Sequence, residues 1–338
     1  VYWGAMLGQA EMIAAGITCT ADHYFEMDWV ARAVEQAGTR ANLGWAVFGH
    51  QGYGQLEETI RFVERWQGKA DGRITTWLAP HSPYLCDPDF LARCAREAAR
   101  LGVGNHIHAA ETAGQVALSL ERYGKTPVQV LADAGILEQP VILAHCLYPS
   151  DDDLDLLAGR EAGIAQAPKT YLAMAMGLAD LPKYLEKGIA LGLATDGAVS
   201  SCTLDLFEQM RLTALTQKNK AMDAEVLPVE TVLDIAFQGG ARVVRQPELG
   251  NLKPGNLADV VLLRQDRPAA QPVINKAANL IYSLDAQDVD TVICDGKLIY
   301  QGGRHLTLDL EEIYREVNAR LPRLLRKDLS RKIAEYPE

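Results

Sequence analysis

A chain of 338 residues with a formal net charge of −11 has room for one large domain and a smaller one, and offers no basic face to nucleic acid. Its 48% hydrophobic and 23% charged residues exclude disordered and fibrous classes. Six scattered cysteines without a CxxC pair exclude a disulfide framework and a thiolate zinc site, and they suit a reducing, cytoplasmic setting. No run approaches the ~18 apolar residues of a membrane helix. The expected partner is a small-molecule substrate, bound by a homo-oligomer, with neither nucleic acid nor membrane involved.

In chain order, residues 1–16 read as the body of an amphipathic helix with no cap before it. A short apolar strand, a polar turn and a helix then recur. Strands are expected at 17–25, 41–48, 74–79, 105–109, 141–146, 163–167 and 189–195, with 3.6-residue periodicity between them at 56–66, 89–101, 127–134 and 204–217. Such alternation implies parallel pairing, because each crossover helix covers a sheet face. Seven units in roughly 200 residues fit a (β/α)8, TIM-type barrel better than an open sheet. The eighth, a first strand and the start of its helix, is expected upstream of Val1, making this an N-terminally trimmed view of a longer protein. A helix at 228–244 follows, then GNLKPGNLADVVLL. Strands at 258–263, 289–294 and 297–300, the last two flanking an Asp295-Gly296 hairpin signal, announce a small β-domain. The division expected is a barrel over 1–247, a small β-sandwich over 248–305 and a C-terminal helix over 306–338, helical from Asp309 to about Lys332.

In a barrel of this kind, polar residues at the carboxyl ends of strands point into the active site. Here they are Asp22, His23, His81, His106, His108, Glu111, His145 and Asp196. A buried charge is costly unless it is paired or bound to a metal, so packing explains such a set poorly. His106 and His108 share a strand face, and Glu111 joins them only if the chain turns after the strand. That segment reads either as a metal ligand with a proton-carrying acid beside it, or as a core histidine before a helix-starting Glu-Thr. His145 ends a strongly apolar strand, where a lone imidazole is more often a hydrogen-bonded core residue. Asp196 also ends an apolar strand; its rival role is capping the next helix, for which Ser200, Ser201 and Thr203 are available. His81 follows the third strand, placed either to donate to a substrate or simply in a loop between prolines. His23 and His50 stand out less, and His305 falls in the small domain, where no chemistry is expected. Trp45, Trp77, Tyr84 and Tyr171 could stack on a flat ring.

The stretches APHSPYLC, HIHAAET, LAHC, ATDGAVSSCTLDLFEQMRLTALTQK and LKPGNLADVVLL together resemble the amidohydrolase superfamily, in particular its methylthioadenosine/S-adenosylhomocysteine deaminase and chlorohydrolase branch. The resemblance runs through essentially the whole chain. It implies a divalent metal, zinc with iron as the alternative, held by His108 and Asp196. It implies Glu111 as proton shuttle, His145 holding the attacking oxygen, and His81 on the substrate. The activity implied is hydrolytic deamination of an aminated N-heterocycle of purine or nucleoside, pterin or triazine type. The alternatives are a chlorohydrolase or amidohydrolase with another leaving group, and a non-catalytic, metal-deficient binding homologue. Three departures stand out. The family's HxH pair is absent, in line with the missing strand. QAPKTYLAM at 166–174 replaces an HNPxSN-like stretch, and Trp45 and Gln55 stand near the positions where nucleoside deaminases carry arginines. Trp45, Tyr84 and Lys169 are therefore expected to line a pocket for a compact heterocycle.

Overall fold

The structure, a computed structural model, describes residues 1–325. Seven strands run parallel in strict chain order: β1 (Cys19–Tyr24), β2 (Arg40–Val47), β3 (Ile74–Pro80), β4 (Asn105–Ala109), β5 (Val141–His145), β6 (Ala162–Gln166) and β7 (Ala190–Leu193). Helices connect every successive pair. All eight residues of β2 are buried, as expected of a parallel strand covered on both faces. The sheet is strongly curled. In a flat sheet β1 and β4, with two strands between them, would stand about 14 Å apart at ~4.8 Å spacing; the rings of His23 on β1 and His106 on β4 are 5.0 Å apart. Among the described residues β1 and β7 each pair on one side only.

Local sequence explains most boundaries. Asp87, Thr112 and Ser150 cap the helices Pro88–Leu101, Ala113–Tyr123 and Asp151–Leu157, each accepting a backbone N–H from inside the first turn. Asp205 caps Leu206–Ala221 in the same way, so none of the hydroxyls considered for that helix is needed. The helix expected over 228–244 is interrupted by a π turn at Ile235–Gly239. Close approach to β7 is the constraint there: a Cβ on Gly239 would lie 2.0 Å from the carbonyl oxygen of Leu191.

A second, antiparallel sheet contains β8 (Val260–Leu263), β9 (Val289–Cys294), β10 (Lys297–Gln301) and β11 (Arg304–His305), ordered β11-β10-β9-β8. Asp295 and Gly296 are both left-handed (φ 53° and 71°), as the two-residue β9–β10 hairpin requires. Where a sandwich predicts a second sheet, the layer in contact with this one among the described residues is the helix Tyr2–Ala14. The helix Leu310–Leu325 packs on the same helix, and the expected continuation over 326–332 lies outside the described residues.

Arg40, the first residue of β2, joins the two sheets. Its Nε donates to Asp259 at 3.0 Å and its Nη2 to Asp295 at 2.7 Å, with the side chains of Arg40 and Asp259 only 3% and 7% exposed. Removing one partner of a buried pair strands the other charge, so Arg40→Ala is expected to lose about 3–5 kcal/mol of stability in urea unfolding. A loss below about 1 kcal/mol would show that the clasp does not hold the sheets together.

Candidate active site

Five of the seven histidines meet at the carboxyl ends of β1, β3, β4 and β5. The ring of His108 lies 4.8 Å from His23, 4.5 Å from His81 in a stacked pair, and 5.3 Å from His145. His106, two residues before His108 on the same strand face, touches His23 from below. Tyr171 closes the far side at 5.7 Å from His145, and Phe48 stacks on the other face of His81 at 4.8 Å.

The backbone bends sharply to deliver these groups. Ala110, His145, Cys146 and Asp196 all have left-handed φ (46°, 70°, 48° and 62°). Non-glycine residues are held there at a cost of order 1 kcal/mol or more each, and such strain concentrates at functional sites. The turn at Ala110 brings Glu111 back over its own strand: its Oε1 is 3.8 Å from His145 Nε2. Its Oε2 accepts from Tyr84 Oη at 3.3 Å and Gln115 Nε2 at 3.1 Å.

Hydrogen bonds orient the imidazoles. His108 Nδ1 is 2.9 Å from the carbonyl oxygen of His81, so it carries the proton and Nε2 is left as a lone-pair donor. His81 Nδ1 meets Ser82 Oγ at 3.0 Å. The carbonyl of His145 accepts from Gln166 Nε2, which gives the first residue of the divergent QAPKTYLAM stretch a structural task. His23 Nδ1 and Nε2, His106 Nδ1 and His145 Nδ1 are buried without a hydrogen-bond partner. Burial, then the neighbouring imidazoles, pushes His81 and His106 down to about 3 and His23 well below the ordinary range. Burial and His108 also lower His145, against the opposing charges of Glu111 and Asp196. His23, His81, His106 and His145 are therefore held neutral near pH 7.

Asp196 is exposed just beyond β7, its Oδ1 accepting from Gly197 N at 2.6 Å. Among the described residues no three of His, Cys, Asp and Glu close on a single point. Lys169 Nζ is engaged by Glu208 Oε2 (2.6 Å) and Thr203 Oγ1 (2.7 Å). Trp45 is a correction. Gly44 pairs with the inward-facing His23, so alternation turns Trp45 to the outside of the sheet. There its ring packs edge-on against Phe62 of the helix Gly52–Trp66, 5.7 Å away. It cannot offer a face to a substrate in the barrel mouth. His50 lies beside Phe48, and His305 packs on Tyr300 in the second sheet. His23 and His106, expected at strand ends but given no role, join the site, as does Gln115, which had not been singled out. The inward register of His106 with His108 was the one readable signal of a role.

Residues 1–299 match the amidohydrolase family, and the chain belongs to it. It is a hydrolytic enzyme of C–N bonds. It is 40% identical over 328 residues to a 5-methylthioadenosine/S-adenosylhomocysteine deaminase of Desulforudis audaxviator, covering 96% of this chain and 76% of the relative. It is 42% identical over 323 residues to the deaminase of the same name from Carboxydothermus hydrogenoformans, covering 95% and 75%. Among solved structures, a zinc-bound adenosine deaminase from Xanthomonas campestris superposes with a TM-score of 0.89 at 27% identity, covering 96% of this chain and 75% of that one. The zinc complex of atrazine chlorohydrolase from Arthrobacter aurescens gives 0.87 at 24%, covering 94% and 76%, a likeness of fold.

A buried imidazole that stays neutral destabilises the fold as the unfolded chain gains protons. His106 sits at about 3 when folded and near 6.5 when unfolded, so its contribution is complete above pH ~6.5 and is lost as pH falls towards ~3. Between about pH 7.5 and about pH 5.5 this loss is roughly 1.4 kcal/mol. Urea unfolding of His106→Asn is expected to show a pH dependence smaller by about that amount; an unchanged slope would mean that His106 is protonated in the folded protein.

Proposed function

We propose that the chain is a metal-dependent hydrolytic deaminase of an aminated N-heterocycle, with water replacing the amine and ammonia released. The observation that carries this is the Glu111 carboxylate, held by Tyr84 and Gln115 on one oxygen while the other faces His145. That places a fixed acid–base group beside the imidazole cluster.

The donor set fits a divalent cation in kind: neutral imidazoles with unengaged nitrogens, and a carboxylate on a separate strand end. His108 through Nε2 and Asp196 would hold it, with zinc, the metal of the solved neighbours, as the proposed ion and iron as the alternative. When bound, such a cation supplies the Lewis acidity that lets water act as a nucleophile near neutral pH. Glu111 would take one proton of the attacking water and deliver it to the ring nitrogen beside the reacting carbon, then carry the remaining hydroxyl proton to the amine, so that the C–N bond breaks, ammonia leaves and the carbon becomes a carbonyl. His145 stabilises the oxygen as charge builds on it, and the low basicity that burial imposes keeps it from competing for those protons. His81, stacked between Phe48 and His108, is the proposed contact to the heterocycle, with Tyr84 beside it. Lys169 belongs to the proposed pocket through the segment after β6, where its ion pair with Glu208 neutralises it. The six unpaired cysteines support a reducing, cytoplasmic placement. No described helix is long and apolar enough to cross a membrane.

Zinc-loaded protein is expected to release ammonia from at least one member of a panel of adenine-type nucleosides, aminopurine bases, pterins and aminotriazines. Release of chloride or an alkylamine from triazines without ammonia would move the site to the chlorohydrolase branch. Glu111→Gln should retain bound metal and lose at least ~10²-fold in turnover. If metal content falls in step with activity, Glu111 is a ligand and not the proton carrier.

A further inference from the structure

β6 lies between two strands that carry reacting groups and supplies none of them itself. On one side β5 ends in His145, and on the other β7 leads into Asp196. Both residues are left-handed, at φ 70° and 62°. Such conformations persist only where neighbouring groups over-determine the backbone, so each needs a hold from outside itself. In both cases the hold comes from residues 166–170, which end β6 and begin the helix Pro168–Ala173.

Gln166, 3% exposed, donates from Nε2 to the carbonyl oxygen of His145. Its own carbonyl accepts from Ala194 N at 2.8 Å, just beyond the end of β7. Further along, Thr170, 1% exposed, donates from Oγ1 to the carbonyl oxygen of Thr195 at 3.3 Å. That carbonyl belongs to the planar peptide group leading into Asp196, so the bond helps to set the direction in which the Asp196 side chain departs. The segment is also anchored from behind. Lys169 N donates to Gln209 Oε1 at 3.1 Å and Lys169 Nζ to Glu208 Oε2 at 2.6 Å, both on the helix Leu206–Ala221.

Resting on the deaminase reading, we propose that residues 166–170 are a brace between the two reacting strand ends, with Thr170 a positioning residue for Asp196 and Gln166 a positioning residue for His145. Each acts through a single backbone carbonyl. The consequences differ because the groups they hold differ. Asp196 is the proposed metal ligand, so losing the Thr170 hydroxyl loosens the cation. His145 steadies the attacking oxygen and is no ligand, so losing the Gln166 amide slows turnover with the cation still bound. Partners one step removed from a metal centre contribute about 10–100-fold to affinity or activity.

The test measures zinc affinity of the metal-free protein by competition with a chromophoric chelator, and separately kcat and KM for ammonia release by the zinc-loaded enzyme. Thr170→Val, which keeps the side-chain shape and removes the hydroxyl, is expected to weaken zinc binding about 10–100-fold, with Thr170→Ala as a second hydroxyl-free variant and Thr170→Ser restoring affinity to within about threefold of wild type. Gln166→Met should lower kcat about 10-fold at unchanged KM and unchanged zinc affinity. A role confined to stability would lower the thermal midpoints and leave zinc affinity and kcat at wild-type values, which would overturn the proposal. Weakened zinc binding in Gln166→Met, or no recovery in Thr170→Ser, would overturn it as well. Failure of the deaminase reading looks different: the wild type binds zinc and releases ammonia from no ring, and the Thr170 titrations still stand or fall by themselves.

Discussion

The active site depends on gathering five imidazoles in one small volume, four of them pushed below the ordinary histidine range by burial. A single added proton there would sit among four like-prone neighbours with little water to screen it, which is why burial and mutual repulsion act in the same direction on His23, His81, His106 and His145. Parallel pairing makes the gathering possible, since every strand ends at the same face. Curling makes it tight, since β1 and β4 could not exchange ring contacts across a flat sheet. Neutral imidazole is also the form that coordinates metals and exchanges hydrogen bonds in both directions, so the electrostatic constraint and the chemical utility coincide.

Holding the groups at the rim requires backbone that ordinary strands do not have. Ala110, His145 and Asp196 are left-handed and none is glycine. At Ala110 the bend lets Glu111 return over β4 to face His145. At His145 the carbonyl is tied by Gln166 from the adjacent strand, so an interstrand hydrogen bond offsets local strain next to the reacting groups. Tyr84 and Gln115 come from two different connections and converge on one carboxylate oxygen, which fixes the direction of the other.

Strand and helix periodicity made the parallel βα rhythm legible, and all seven expected strands of the curled sheet are present with ends shifted by at most two residues. Strand-end position also drew attention to Glu111, His108, His145 and Asp196 before any contact was known. Two things stayed hidden for physical reasons. The fate of Trp45 depends on register, because one residue decides whether a side chain meets the barrel interior or a helix, and that register emerges only with Gly44 opposite His23. His23 was legible as a strand-end residue, but its meeting with His106 and His108 depends on curvature, a property of the whole sheet that no local window contains. The π turn at Ile235–Gly239 belongs with these, since it answers the proximity of Leu191 and not its own residues' preferences.

The clasp made by Arg40 lies at the amino end of β2, whereas the imidazoles lie at the carboxyl ends. The strands therefore act as rigid spacers between the joint with the second sheet and the reacting groups. Sequence drift in the hairpin around Asp295, or in the segment leading into β8, can alter how firmly the two sheets are joined without moving the atoms that meet a substrate. The barrel's two ends are in this sense independently adjustable, one open to selection for durability and the other for chemistry.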